Sequence, residues 1–152
     1  HCLGGQLMSK ALGGTVTRSP VKEIGWSDAA GEDDAVARRW LGSYAGKSGT
    51  VFQWHGETFS IPKGATRLLT NSYCAYKMFA LCPHLAMQCH VEMTPEMIAT
   101  WCDQWADEAL SVADQPSAQT PEVMQAEITA KLPVMRQLSE QLYSVWSGGL
   151  KR

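Results

Sequence analysis

Cysteine, histidine and glutamate are the side chains that could do chemistry here, and three short stretches hold them: Cys2-Leu3-Gly4-Gly5-Gln6, His55-Gly56-Glu57 and His90-Val91-Glu92. A cysteine followed at once by glycines, then by the helix-like Leu7-Met8-Ser9-Lys10-Ala11-Leu12, reads as a nucleophile on a tight strand-to-helix turn. Glycine suits such a turn because its backbone tolerates positive φ. A helix N-terminus behind the cysteine stabilises a thiolate and offers N–H groups to a developing anion. The pattern is the cysteine counterpart of the G-x-S-x-G elbow. A buried structural cysteine ahead of a glycine-rich turn would account for these residues equally well.

A cysteine nucleophile needs a base, usually histidine, and a third group to orient that base. The histidines are His1, His55, His84 and His90. His1 precedes Cys2 directly, so in an extended strand its side chain points to the opposite face. His84 lies in a Cys-Pro-His turn and reads as a surface residue. His55 and His90 each have a glutamate two residues on, and residues i and i+2 share a face of an extended chain. Either pair could set a carboxylate against its own imidazole. The position of His90, after an apolar strand and before a helix start, leans toward His90-Glu92. Gly56 suggests that the backbone beside His55 approaches something closely, such as a ligand.

The elements that position these residues follow from local pattern. Leu3 to Leu12 is a short helix ended by Gly13-Gly14. Short strands are expected at 15–18, 21–26, 50–55, 65–70, 75–80 and 85–90, with turns at Ser19-Pro20, Ile61-Pro62-Lys63-Gly64, Asn71-Ser72 and Cys82-Pro83-His84. Together they look like a meander. Asp33 or Asp34 caps a short helix through Leu41. Thr94-Pro95-Glu96 and Thr120-Pro121-Glu122 each open a longer helix. The second of these runs to about Trp146, with Pro133 kinking or interrupting it. The Met and Trp residues of both helices, Trp101 and Trp105 included, read as packing.

Composition narrows the class. The 152 residues are 45% apolar and 18% charged, with a formal net charge of −2. That is ordinary for a soluble globular domain and makes no electrostatic case for nucleic acid or an anionic membrane. No apolar run approaches the roughly 20 residues that span a bilayer. The five cysteines show no C-x-x-C spacing, and their odd number favours free thiols in a cytoplasmic setting. No metal-ligand spacing or cofactor motif is read.

Three ordered stretches resemble the class I glutamine amidotransferases of the GMP-synthetase type: Cys2-Leu3-Gly4-Gly5-Gln6 with Leu12-Gly13-Gly14, then Trp54-His55-Gly56-Glu57, then Met87-Gln88-Cys89-His90-Val91-Glu92. The resemblance runs from residue 1 to about 97, with 98–152 as a helical extension of the same domain. Two positions depart from the family pattern: Val91 replaces the usual proline and Cys89 a more common phenylalanine. Neither change removes a catalytic atom.

The resemblance implies a Cys-His-Glu triad of Cys2, His90 and Glu92. It implies an oxyanion donor at the Leu3 amide, and substrate contacts at Gly4, Gln6, His55 and Gly56. The implied fold is α/β, a Rossmann-like (flavodoxin-like), mostly parallel sheet flanked by helices, of which this chain is the C-terminal part. The implied chemistry cleaves the γ-glutamyl amide of glutamine through a thioester, without metal or cofactor. The ammonia goes to a separate synthase, unless the substrate is a glutathione-like γ-glutamyl peptide or conjugate and no partner is needed. The C-terminal helices could form a homodimer contact. A catalytically idle partner-binding domain is the reading from another class.

Overall fold

The computed structural model describes residues 1–150. α1 (Leu3–Ala11) is followed by β1 (Val16–Gly31), α2 (Ala35–Leu41) and a one-turn 3-10 helix, Gly42–Tyr44. Four strands come next: β2 (Ser48–Phe59), β3 (Thr66–Thr70), β4 (Met78–Leu81) and β5 (His84–Met87). The chain then turns helical, with α3 (Pro95–Gln104), α4 (Ala106–Leu110), α5 (Pro121–Ala126) and α6 (Ile128–Gly148).

The strands form a single sheet in the order β2-β1-β3-β4-β5. Every neighbouring pair is antiparallel. The expected mostly parallel, Rossmann-like sheet is therefore corrected to an antiparallel one. Chain geometry gives the reason. A parallel pair needs a crossover of a dozen or more residues, whereas a tight turn reverses direction. Only Cys82 and Pro83 separate β4 from β5, and only residues 71–77 separate β3 from β4. The meander legible in the local pattern is what the sheet adopts over β3, β4 and β5.

The sheet also curls. Beyond β5, His90 bonds back to β2 at the opposite edge: its amide donates to the Phe52 carbonyl at 2.8 Å, and the Phe52 amide donates to the His90 carbonyl at 2.9 Å. The two edges thus meet at His90.

Two boundaries differ from the sequence reading. β1 is one 16-residue strand rather than two. The expected turn at Ser19-Pro20 is absorbed as a slip in register between Arg18 and Glu23, a place where a strand tolerates a proline without an N–H to donate. The last long helix breaks at Glu127, not at Pro133, which lies inside α6 on its exposed side. Water there can take the carbonyl that the missing N–H leaves free.

The caps are as expected. Asp34 Oδ1 accepts from Val36 N at 2.7 Å and from Ala37 N at 2.9 Å. Thr94 caps α3 through Met97 N, and Thr120 caps α5 through Val123 N. α6 buries Leu132, Met135, Leu138 and Leu142, a helical stripe. They join Val51, Phe52, Leu69, Met78, Ile98 and Met124 in one core, so helices and sheet share their apolar burial. Among the described residues no helix is long and apolar enough to cross a membrane.

Candidate active site

Cys2 sits at the N-cap of α1 with φ 43° and ψ −106°. It is the one non-glycine residue with positive φ among the described residues. Sequence logic put the backbone demand on the glycines; the structure puts it on the cysteine. Gly5 serves another purpose: a Cβ there would stand 2.5 Å from the Met87 carbonyl oxygen, so α1 lies directly on the end of β5. Around Gly4 a Cβ would meet nothing within 4 Å. Gly5→Ala is expected to destabilise the protein by about 1–3 kcal/mol through overpacking, while Gly4→Ala stays near neutral. Thermal denaturation of the two variants checks the contrast.

The Cys2 sulfur faces the Trp54 carbonyl at 4.0 Å and accepts from Gln88 Nε2 at 3.3 Å. Gln88 is fully buried and in turn accepts from Gln6 Nε2 at 3.2 Å. Gln6, expected to hold substrate, thus sits behind the cysteine as the second link of an amide relay. Burial pushes the Cys2 thiol above its ordinary pKa, and the Leu3 amide and Gln88 pull it partly back. Cys89, wholly buried, is pushed up to about 12, which leaves it inert.

His90 Nδ1 donates to Glu92 Oε1 at 2.6 Å, leaving Nε2 as the ring nitrogen free for a reactant. The Val91 amide donates to Glu92 Oε2 at 2.9 Å. Burial raises the Glu92 carboxyl, but the hydrogen bond and charge of His90, with the local amides, outweigh it, and the group lies below its ordinary pKa. Glu92 has a second imidazole as well: His1 Nδ1 lies 2.6 Å from Oε2. The His1 ring stacks on His90 with centroids 6.1 Å apart, and its Nε2 meets the Tyr143 hydroxyl of α6 at 2.7 Å.

Cys2, Leu3, His90 and Glu92 line one cavity of about 470 Å³, together with His1, Trp54, Trp101, Trp105 and Glu108. Among the described residues, His55 and Gly56 do not reach it. His55 is buried instead against Glu23 and Lys77, with Nδ1 2.9 Å from the Glu57 carbonyl. Gly56 borders a different groove with Lys22 and Glu57. The two residues expected to contact substrate therefore stand apart from the cavity that Cys2 lines.

Sequence reasoning missed His1 and Gln88. Strand alternation would turn His1 away, but the positive φ of Cys2 breaks that alternation. A signal for Gln88 did exist, since Gln88, His90 and Glu92 follow the period of an extended chain.

A cysteine on a helix N-terminus, sharing a cleft with a histidine whose far nitrogen is held by a carboxylate, is an arrangement suited to acyl transfer. No family model matches the chain. It is 34% identical over 98 residues to a putative glutamine amidotransferase-like protein, YfeJ, of Salmonella typhimurium, covering 64% of this chain and 41% of that protein. A solved glutamine amidotransferase from Methylobacillus flagellatus superposes with TM-score 0.93 at 37% identity, over 100% of this chain and 62% of that one. A glutamine amidotransferase from Thermotoga maritima matches with TM-score 0.80 at 27% identity, over 94% of this chain and 59% of that one. The chain is similar in sequence and in fold to these glutamine amidotransferases, and it spans about two fifths to three fifths of their length.

Proposed function

We propose that the chain carries the hydrolytic centre for a γ-glutamyl amide, with Cys2 as nucleophile, His90 as acid and base, and Glu92 orienting His90. The observation that carries this reading is the 2.6 Å contact between His90 Nδ1 and Glu92 in the cavity that Cys2 lines.

Burial favours the protonated resting thiol, so His90 takes the Cys2 proton as the sulfur attacks the γ-carbonyl. Catalytic hydrogen bonds of this kind tighten when substrate seats. The oxyanion that forms lies near the Leu3 amide at the start of α1, where the helix dipole favours negative charge. His90 passes its proton to the leaving amine, the C–N bond breaks and a γ-glutamyl thioester remains. Water, deprotonated by His90, then releases glutamate and returns the thiol. Glu92 holds the ring with Nδ1 toward the protein and stabilises the imidazolium. Gly4 stays open beside the nucleophile, and Gln6 acts through Gln88. No step uses a metal or cofactor. The helices after residue 97 serve as an extension of the same unit, closing the cavity with Trp101, Trp105 and Glu108.

Glutamine, with ammonia passed to a synthase, is one substrate. A γ-glutamyl peptide or conjugate is the other, and the cavity has room for the group on its amine side, because it continues beyond the catalytic groups past Trp101 and Trp105 to Glu108. The test is glutamate release by the full-length protein from glutamine and glutathione side by side. Glu92→Gln is expected to lower kcat by ~10²–10⁴-fold with a smaller change in KM, as for orienting residues of other triads. Wild-type kcat in that variant would remove Glu92 from the mechanism. If full-length protein released no glutamate from either compound, the idle-domain reading would take its place.

A further inference from the structure

The cavity has an asymmetric wall. Trp54 of β2 and Trp101 and Trp105 at the end of α3 touch one another pairwise, with ring centroids 6.0, 5.6 and 5.1 Å apart. Trp101 also packs edge-on against His90 at 5.0 Å, so the wall begins at the residue that protonates the departing amine. Trp105 closes α3 and is 41% exposed. A large aromatic side chain left that open beside a cleft gains area and stacking when an apolar group covers it. Trp54 is held in place at its far edge, where Nε1 donates to Glu108 Oε2 at 3.0 Å. The other Glu108 oxygen pairs with Lys22 at 2.6 Å. The wall therefore presents indole surface and one carboxylate, and among the described residues no unpaired ammonium or guanidinium.

We propose that this wall reads the amine side of the scissile bond, and that the preferred substrates are γ-glutamyl amides of primary amines bearing an aromatic ring. The proposal rests on the hydrolase reading above. Because His90 Nε2 must meet the leaving nitrogen, that nitrogen is released beside Trp101, and whatever it carries extends toward Trp105. Ammonia has nothing to set against the wall. The Cys-Gly portion of glutathione brings a carboxylate toward Glu108, with no free cation to receive it. A neutral aromatic body has three indole rings to stack against, and such contacts favour offset and edge arrangements.

The test compares γ-glutamylbenzylamide with γ-glutamylmethylamide, two alkyl amides that differ in the ring, with glutamine and glutathione alongside, in the full-length protein. The expected result is a kcat/KM for the benzylamide about tenfold or more above that for the methylamide, a size consistent with one aromatic contact. Trp105→Ala should bring that ratio close to one, and Trp105→Phe should retain most of it. A merely structural role for Trp105 would lower both rates and leave the ratio standing. Equal rates on the two amides, or a ratio untouched by Trp105→Ala, would overturn the proposal while leaving Cys2-dependent cleavage in place. Absence of Cys2-dependent release from all four compounds would remove the hydrolase reading and this inference together.

Discussion

Cys2→Ala leaves a folded protein that releases no glutamate above background. The expected loss is at least ~10⁴-fold, because among the described residues lining the cavity only Cys2 offers a thiol for the proposed thioester. Cys2→Gly sharpens the expectation. At φ 43° an L-residue is strained, by about 1–3 kcal/mol, and glycine is not. Cys2→Gly should therefore be as inactive as Cys2→Ala and yet melt at a higher temperature than the wild type. Strain retained at one reactive residue, and relieved when that residue is lost, is what a nucleophile fixed in position by its turn requires. A melting temperature for Cys2→Gly at or below that of Cys2→Ala would mean that the backbone there is not strained. Residual turnover in either variant would end the case for Cys2.

Lys77→Met is expected to be the most destabilising single change away from the cavity. Lys77 is fully buried, and its ammonium is ion-paired with Glu23, itself 1% exposed. The same Nζ lies 3.2 Å from His55 Nε2. Asn71 Nδ2 donates to the other Glu23 oxygen at 2.7 Å. Removing the lysine leaves a carboxylate without its cation in the interior, which costs about 3–5 kcal/mol. Replacing both partners, Glu23→Gln with Lys77→Met, should recover most of that loss, and chemical denaturation of the single and double variants measures the difference.

The same cluster sets an acid limit. Burial raises the Glu23 carboxyl, but His55, Lys77 and Asn71 together bring it down to about 2. A carboxyl depressed in the folded state adds stability that is present above its ordinary pKa and lost as pH falls toward the folded value. For Glu23 that window runs from its ordinary 4.5 down to about 2, and about 3 kcal/mol is at stake. His55 is lowered too, chiefly by burial and partly opposed by Glu23. Its contribution is lost as pH drops below the ordinary histidine value of 6.5. Both groups act in one direction, so stability should decline steadily on acidification. A flat profile between pH 6 and 3 would exclude this cluster as the cause.

The legible part of this molecule was the local part. Turn chemistry at Asn71-Ser72 and Cys82-Pro83, and the threonine caps at 94 and 120, are written in neighbouring residues and need no partner from afar. The step from family resemblance to a mostly parallel sheet failed because strand direction within this chain follows from its own short connections. Lys77 could not be foreseen as buried, since its partner Glu23 is fifty-four residues away. His1 was hidden by a single dihedral angle at Cys2. Trp101 and Trp105 read as packing from their spacing, and Trp101 does pack against the core. That they also face the cavity depends on α3 ending at Trp105, which no periodicity announces.

The reciprocal bonds between Phe52 and His90 tie two properties together. His90, the proposed proton carrier, and Trp54, the first panel of the aromatic wall, are anchored on the same strand two residues apart. A shift of β2 relative to the end of β5 would move both at once. Under the proposed function, selectivity and turnover are therefore mechanically linked. Mutations in β2 that widen the range of amines accepted should slow chemistry in step, whereas changes at Trp105, which the wall draws from the end of α3 rather than from β2, can retune selectivity alone.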